Sequence, residues 1–249
     1  MSGGDLVSLR MLVVAAALPE VDLWQRGAAM VTVPIEFTAA DGTAAAVAIL
    51  ERGGVDICIV DHGLPAADKA AVTKAARSVK PGPLLVMSAP PGTARVEGAD
   101  GALIKPADAA DARKMVEVCI RAKMPTRVLI VDDSGTMRSI VRKILSGSRF
   151  SLNVGEAAEG IAALDLLRGG KFDLVFLDYN MPGLNGFETL SEIKRESPQV
   201  AVVIMTSTLD NAVAERAKSS GALAFLKKPF YPTDVDAVLE RHFGLHMQD

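Results

Sequence analysis

Residues 56–65 read DICIVDHGLP and residues 173–182 read DLVFLDYNMP, the same rhythm 117 residues apart. RMLVVAA (10–16) recurs as RVLIVDD (127–133) at that offset, LLVMS (84–88) as VVIMT (202–206), and GALIKP (101–106) as LAFLKKP (223–229). Four segments recurring in one order imply a duplicated domain, and a repeat of domain size is not the short period of a solenoid.

Each copy alternates short apolar runs with longer amphipathic stretches. In the second copy the runs at 127–132, 150–155, 172–178, 200–206 and 222–227 predict strands. Helices are predicted near 135–147, 157–168, 185–197, 210–220 and 232–244, with Ser134 and Asp210 as caps for the first and fourth. Continuously apolar strands that alternate with helices make a parallel sheet covered on both faces. The expectation is two doubly wound α/β domains, at 8–123 and 126–246, joined through RAKMPTR (121–127). In the first copy Ser88 to Lys105 spans 17 residues, against 22 from Thr206 to Lys228. The shorter stretch holds APPGTARVEGAD, whose prolines and glycines oppose a helix, so the fourth helix of that copy is expected to be missing or shortened.

Composition narrows the function classes. Hydrophobic residues make up 49% and charged residues 23% of the chain, a globular balance, and the net charge of −3 leaves neither half basic. Direct nucleic-acid binding is therefore not expected. Cys58 and Cys119 stand in apolar settings and read as buried reduced thiols. His62, His242 and His246 show no metal-ligand spacing. No apolar run has membrane-spanning length. RMLVVAAAL (10–18) follows an acid at Asp5 and aligns with an internal strand of the second copy, so it reads as structure rather than a leader, and a cytoplasmic protein is expected.

In doubly wound sheets function gathers at the carboxyl ends of the strands. In the second copy those ends carry Asp132 and Asp133, Asp178, Thr206, and Lys228 before Pro229. Three carboxylates brought together repel one another, and a hard divalent cation such as Mg²⁺ relieves that repulsion. A remaining carboxylate oxygen can attack a phosphoryl group, with the lysine and the hydroxyl holding the other oxygens.

VLIVDDSGTMRSIVRKIL (128–145), LVFLDYNMPGLNGFE (174–188), VVIMTST (202–208) and FLKKPF (225–230) together resemble the receiver domains of two-component response regulators. DDSGTMRSIVRKIL is particularly similar to the single-domain chemotaxis receivers. The resemblance implies a flavodoxin-like fold with five parallel strands in the order 2-1-3-4-5. It makes Asp178 the phosphoacceptor, Thr206 and Lys228 its catalytic partners, and Thr206 with Phe225 the switch pair. Asp132, Asp133, Asp178 and the backbone carbonyl of Asn180 would hold Mg²⁺. Thr208 and Asn180 flank the side from which water would attack.

The first copy keeps Asp61, Ser88 and Lys105 at the places aligned with Asp178, Thr206 and Lys228, but has Ala15 and Ala16 for the acidic pair and Ala102 for the switch aromatic. Lys105 is expected to pair directly with Asp61. Glu20 or Asp22 could supply the missing acid only from in or beside the following helix, and the expectation is that they do not. The first copy therefore reads as a pseudo-receiver. The surface left by its lost helix could be covered by the second domain, a twin chain in a homodimer or a foreign partner.

No output region is recognised after the second receiver, so the chain reads as a stand-alone tandem response regulator. It would accept a phosphoryl group on Asp178 from a histidine kinase or histidine phosphotransfer protein, catalyse only its own phosphorylation and dephosphorylation, and signal through contacts with a downstream protein. The alternative is a scaffold in which the first copy mediates binding and phosphorylation is minor. A phosphatase acting on outside substrates would need a second acid two residues after the nucleophile, where this chain has Asn180.

Overall fold

In the computed structural model, residues 8–93, 97–207 and 211–246 are described, with 211–214 as backbone alone. The chain forms two compact units, one running to Lys123 and resuming at Phe243, the other spanning Met124–His242. The expected end of the second domain at 246 thus differs from the observed grouping by the last few residues. The Asp210 cap and Thr208 lie outside the described residues.

The first unit runs β1 (Leu9–Val14), α1 (Leu18–Ala29), β2 (Ile35–Ala39), α2 (Gly42–Glu51), β3 (Ile57–Asp61), α3 (Ala66–Ser78), β4 (Leu84–Ala89), β5 (Gly101–Ile104) and α4 (Ala109–Lys123). The second runs β6 (Thr126–Val131), α5 (Gly135–Ser146), β7 (Leu152–Ala157), α6 (Gly160–Gly169), β8 (Leu174–Asp178), α7 (Gly186–Glu196), β9 (Ala201–Thr206), α8 (Asn211–Ser219), β10 (Ala224–Lys227) and α9 (Pro232–Phe243). Both sheets are parallel, ordered β2-β1-β3-β4-β5 and, from the other edge, β10-β9-β8-β6-β7. Each is therefore 2-1-3-4-5, as the resemblance implied.

The burial pattern explains the order. ICIVD of β3 and LVFLD of β8 are buried at every residue, as strands covered on both faces must be. IEFTA of β2 and LNVGEA of β7 are half-buried and sit at the edges. One face of the first sheet packs Leu12, Val14, Cys58, Val60 and Met87 against Leu50 and Val72. Cys58 and Cys119 are free and buried, and burial pushes both thiols up to about 12, so they act as packing groups.

Between β4 and β5 no helix is found among the described residues. Asp100 staples this short connection. Its carboxylate accepts from the Leu85 amide at 2.7 Å and pairs with Arg77 of α3 at 2.7 Å, while Arg77 also donates to the Gly98 carbonyl at 2.8 Å. The edge strand β5 is paired too, because the Ala102 amide donates to the Leu245 carbonyl at 2.7 Å. Gly101 permits that approach, since a Cβ there would lie 2.6 Å from the Cβ of Leu245. The last described residues of the chain thus occupy an edge that would otherwise present free backbone groups.

Asp100 is 3% exposed, so replacing Arg77 takes the cation away from a buried carboxylate. Arg77→Met is expected to cost about 2 kcal/mol, less than a fully buried pair would, because the Arg77 side chain is 36% exposed. Urea unfolding followed by the fluorescence of Trp24, the one tryptophan of the chain, checks this.

Candidate functional site

The carboxyl ends of β6, β8, β9 and β10 bring the expected residues of the second unit together. Asp132 and Asp133 follow β6. Asp132 is fully buried and Asp133 is exposed. Ser134 caps α5 by accepting from the Met137 amide at 3.3 Å, and its own amide donates to Asp132 Oδ1 at 2.9 Å. The cap therefore fixes both the start of the helix and the orientation of the acid before it.

Asp178 ends β8 and is 5% exposed. The next residues turn out of the sheet, with the Tyr179 amide donating to the Met205 carbonyl at 2.8 Å and the Asn180 amide reaching the Asp178 carboxylate. Gly186 starts α7 directly beneath this turn; a Cβ there would come within 2.5 Å of the Asp178 carbonyl oxygen. Asn185 caps α7 in a capping box with Glu188, which holds the far end of the same loop. A shallow cavity of about 370 Å³, lined by Tyr179, Asn180, Met181 and Asn185, opens beside the site.

Lys228 links these parts. Its Nζ lies 2.7 Å from Asp132 Oδ2 and 2.9 Å from Asp178 Oδ1, and its amide donates to the Thr206 carbonyl at 2.7 Å. Burial works against the ammonium, but the hydrogen bonds it donates to Asp132 and Asp178 outweigh it and hold Lys228 above its ordinary value. Asp178 is also held above its ordinary value, because burial dominates, Lys228 counters only part of it, and Asp132 adds repulsion. Carboxylate oxygens of Asp132, Asp133 and Asp178 all lie within 4.8 Å of one another. This hard-oxygen donor set of three carboxylates, only one of whose charges is balanced by Lys228, fits a divalent cation. Thr206 is fully buried at the end of β9, and Phe225 of β10 pairs in register with Ile204, half-buried against the same core.

Arg138 was not singled out from the sequence. It donates to the Asp132 carbonyl at 2.7 Å and pairs with Glu156 of β7 at 3.0 Å, tying the acidic loop to the edge strand. Burial disfavours the Glu156 charge, but Arg142 and Arg138 outweigh it and hold that carboxyl below its ordinary range. The only signal was RSIVRKIL itself, where Arg138 and Arg142 are four apart on one helix face.

In the first unit the structure departs from the expectation twice. Asp61 is in register with Ser88, whereas Asp178 is in register with Met205 and not Thr206. Ala89 pairs with Ile104 as Thr206 pairs with Lys227, so Ala89 stands at the threonine position and Ser88 lies one residue short of it. Aligning the two runs by their apolar letters shifted them by one. Secondly, Glu20 does reach the site. Lys105 Nζ is 3.3 Å from Asp61 Oδ1 and in direct contact with Glu20 Oε1, while Asp22 pairs with Arg26 instead. Ala15 and Ala16 bring no carboxylate, and Ala102 occupies the register position of Phe225.

The family model of the response regulator receiver domain matches residues 128–240. The chain is 37% identical over 119 residues to Protein CcdB of Bacillus subtilis, covering 48% of this chain and 98% of that protein. It is 34% identical over 119 residues to chemotaxis protein CheY-3 of Vibrio cholerae, covering 47% of this chain and 91% of that one. A solved structure, described as a probable two-component system response regulator/GGDEF domain protein, covers 95% of this chain and 98% of its own, with TM-score 0.55 and 22% identity, a likeness of fold.

Replacing Lys228 by Met leaves two buried carboxylates facing one another, and a loss of about 3 kcal/mol is expected at neutral pH. The folded state holds the Asp178 proton more tightly than the unfolded chain does, so this group favours folding at low pH and the contribution is lost as pH rises through its raised folded value. The deficit of Lys228→Met should therefore shrink as pH falls and Asp178 takes its proton. Hydrogen exchange of the second unit, measured across pH, reads both effects.

Proposed function

The chain belongs to the response regulator receiver family of two-component signalling, and from that premise we propose that its second unit accepts a phosphoryl group on Asp178 while its first keeps the fold without that chemistry. The observation that carries this reading is the ammonium of Lys228 set between Asp132 and Asp178 at the ends of three parallel strands. The donor is a phosphohistidine on a kinase or phosphotransfer protein. An Asp178 oxygen attacks phosphorus, the O–P bond forms, the N–P bond breaks, and the electron pair returns to the imidazole.

Asp132, Asp133, Asp178 and the Asn180 carbonyl are the residues that would hold Mg²⁺, which when bound neutralises charge on the acids and on the phosphoryl oxygens. Lys228 supplies a second positive charge to those oxygens, at the cost of leaving Asp132. Thr206 offers a hydroxyl to another oxygen. Its movement changes the space beside Phe225, and so the face built from α8, β10 and α9, by a local charge event that shifts a population. Output then passes through contacts with a downstream protein. The first unit lacks three of these parts, with Ala15 and Ala16 for the acidic pair and Ala89 for the hydroxyl.

Intact mass after incubation with a small phosphodonor and Mg²⁺ tests the assignment. One added phosphoryl group is expected for wild type and Asp61→Ala, and none for Asp178→Ala. A group that survives Asp178→Ala would sink it. Mg²⁺ alone should stabilise the second unit by about 2.7 kcal/mol at a hundred times its dissociation constant, an effect absent in Asp133→Ala and read by thermal unfolding.

A further inference from the structure

The first unit holds a cluster of charge that its alanines do not lead one to expect. Glu20 lies in the first turn of α1, 117 residues before Met137 of α5, so a carboxylate stands where the second unit has a thioether. With Ala15 and Ala16 offering no side chain beyond Cβ, Glu20 extends toward the strand ends and meets Lys105 and Asp61. Two carboxylates then share one ammonium, and the group is one positive charge short.

Two oxygens there have no hydrogen-bond partner among the described residues. One is Glu20 Oε2, which is buried. The other is Ser88 Oγ, on a residue only 1% exposed. Ser88 is on the strand next to Asp61 and in register with it, so both side chains leave the sheet on the same face. Asp61 itself is oriented by the Gly63 amide, which donates to Oδ1 at 3.1 Å. A buried hydroxyl and a buried carboxylate oxygen, both without partners beside an excess negative charge, call for a ligand that is cationic and accepts hard oxygen donors. A water would satisfy the hydrogen bonds and leave the charge unbalanced.

We propose that Asp61, Glu20 and Ser88 form a second divalent-cation site, in the first unit, built from a helix carboxylate in place of the acidic pair and occupied in competition with Lys105. One or two carboxylates with water completing the shell suffice for Mg²⁺ or Mn²⁺. Lys105 holds the same carboxylates, so the ion must displace the ammonium from them. The ion closes the ends of the strands and does no phosphoryl chemistry, because Ala89 leaves no hydroxyl at the threonine position.

Counting Mn²⁺ bound per chain, from the electron paramagnetic resonance of the free ion over full-length protein, tests this. Two ions are expected for wild type, one for Glu20→Gln, one for Asp133→Ala and none for the double variant. Lys105→Met should tighten the first-unit ion about tenfold, since its competitor is gone. Trp24, buried on α1 one turn after Glu20, reports whether each variant keeps the first unit folded. Should Glu20→Gln unfold it, Lys105→Met decides, and unchanged or weaker binding there overturns the proposal. A wild type that binds one ion, lost in Asp133→Ala, overturns it as well and leaves Glu20 balanced by a proton. Two ions that both persist in Glu20→Gln do the same. One ion that survives Asp133→Ala but not Glu20→Gln would instead refute the metal assignment in the second unit.

Discussion

An ammonium between two buried carboxylates organises the second unit. Lys228 leaves the end of β10, and its partners leave the ends of β8 and β6, so the contact exists only when the parallel strands stand in their observed order. Nothing local holds it. Lys228 and Asp132 are 96 residues apart. The cost of gathering acids at one end of a sheet is offset there by a residue whose backbone amide is already committed to Thr206. Caps and close approaches then steady each acid separately, with Ser134 and Arg138 on one side and Gly186 and Asn185 on the other.

The first unit shows what the fold requires and what the chemistry requires. Strand order, register and the lysine at the end of the fifth strand are the same in both units. The lysine still takes two carboxylates, though one now comes from α1. In both units the lysine at this place has two anionic partners, whichever element supplies them. The threonine, by contrast, has gone without replacement, and Ser88 one residue earlier puts its hydroxyl at a different strand position. Among the described residues there is no fourth crossover helix either, and the Arg77–Asp100 pair together with the Leu245 carbonyl bond the strands on either side of that connection.

Most of the architecture was legible in residue order. Apolar runs such as LVFLD and ICIVD can only be strands covered on both faces, and their return at a 117-residue offset announced two copies of one fold. Asp132, Asp133, Asp178 and Lys228 could be named because the ends of parallel strands are where such a sheet gathers polar groups. Arg138 was illegible, and Glu20 was weighed and set aside, for the opposite reason. Each is a charged residue on an amphipathic helix, where solvent exposure is the default, and only the crossing of helix over sheet turns it inward. Ser88 was misread because MS and MT look alike as letters, while a single-residue shift in a strand moves a side chain to the other face.

Periodicity, turn residues and the repeat therefore settled the class of fold, the duplication and which strand ends carry acids, since these follow from short-range patterning along the chain. Which acids touch which lysine, that Ala89 rather than Ser88 stands beside Lys105, and that a helix carboxylate enters the first site were settled by packing. Those contacts join residues far apart in the chain, and their geometry is set by register and crossing angle, quantities that no local run of residues encodes.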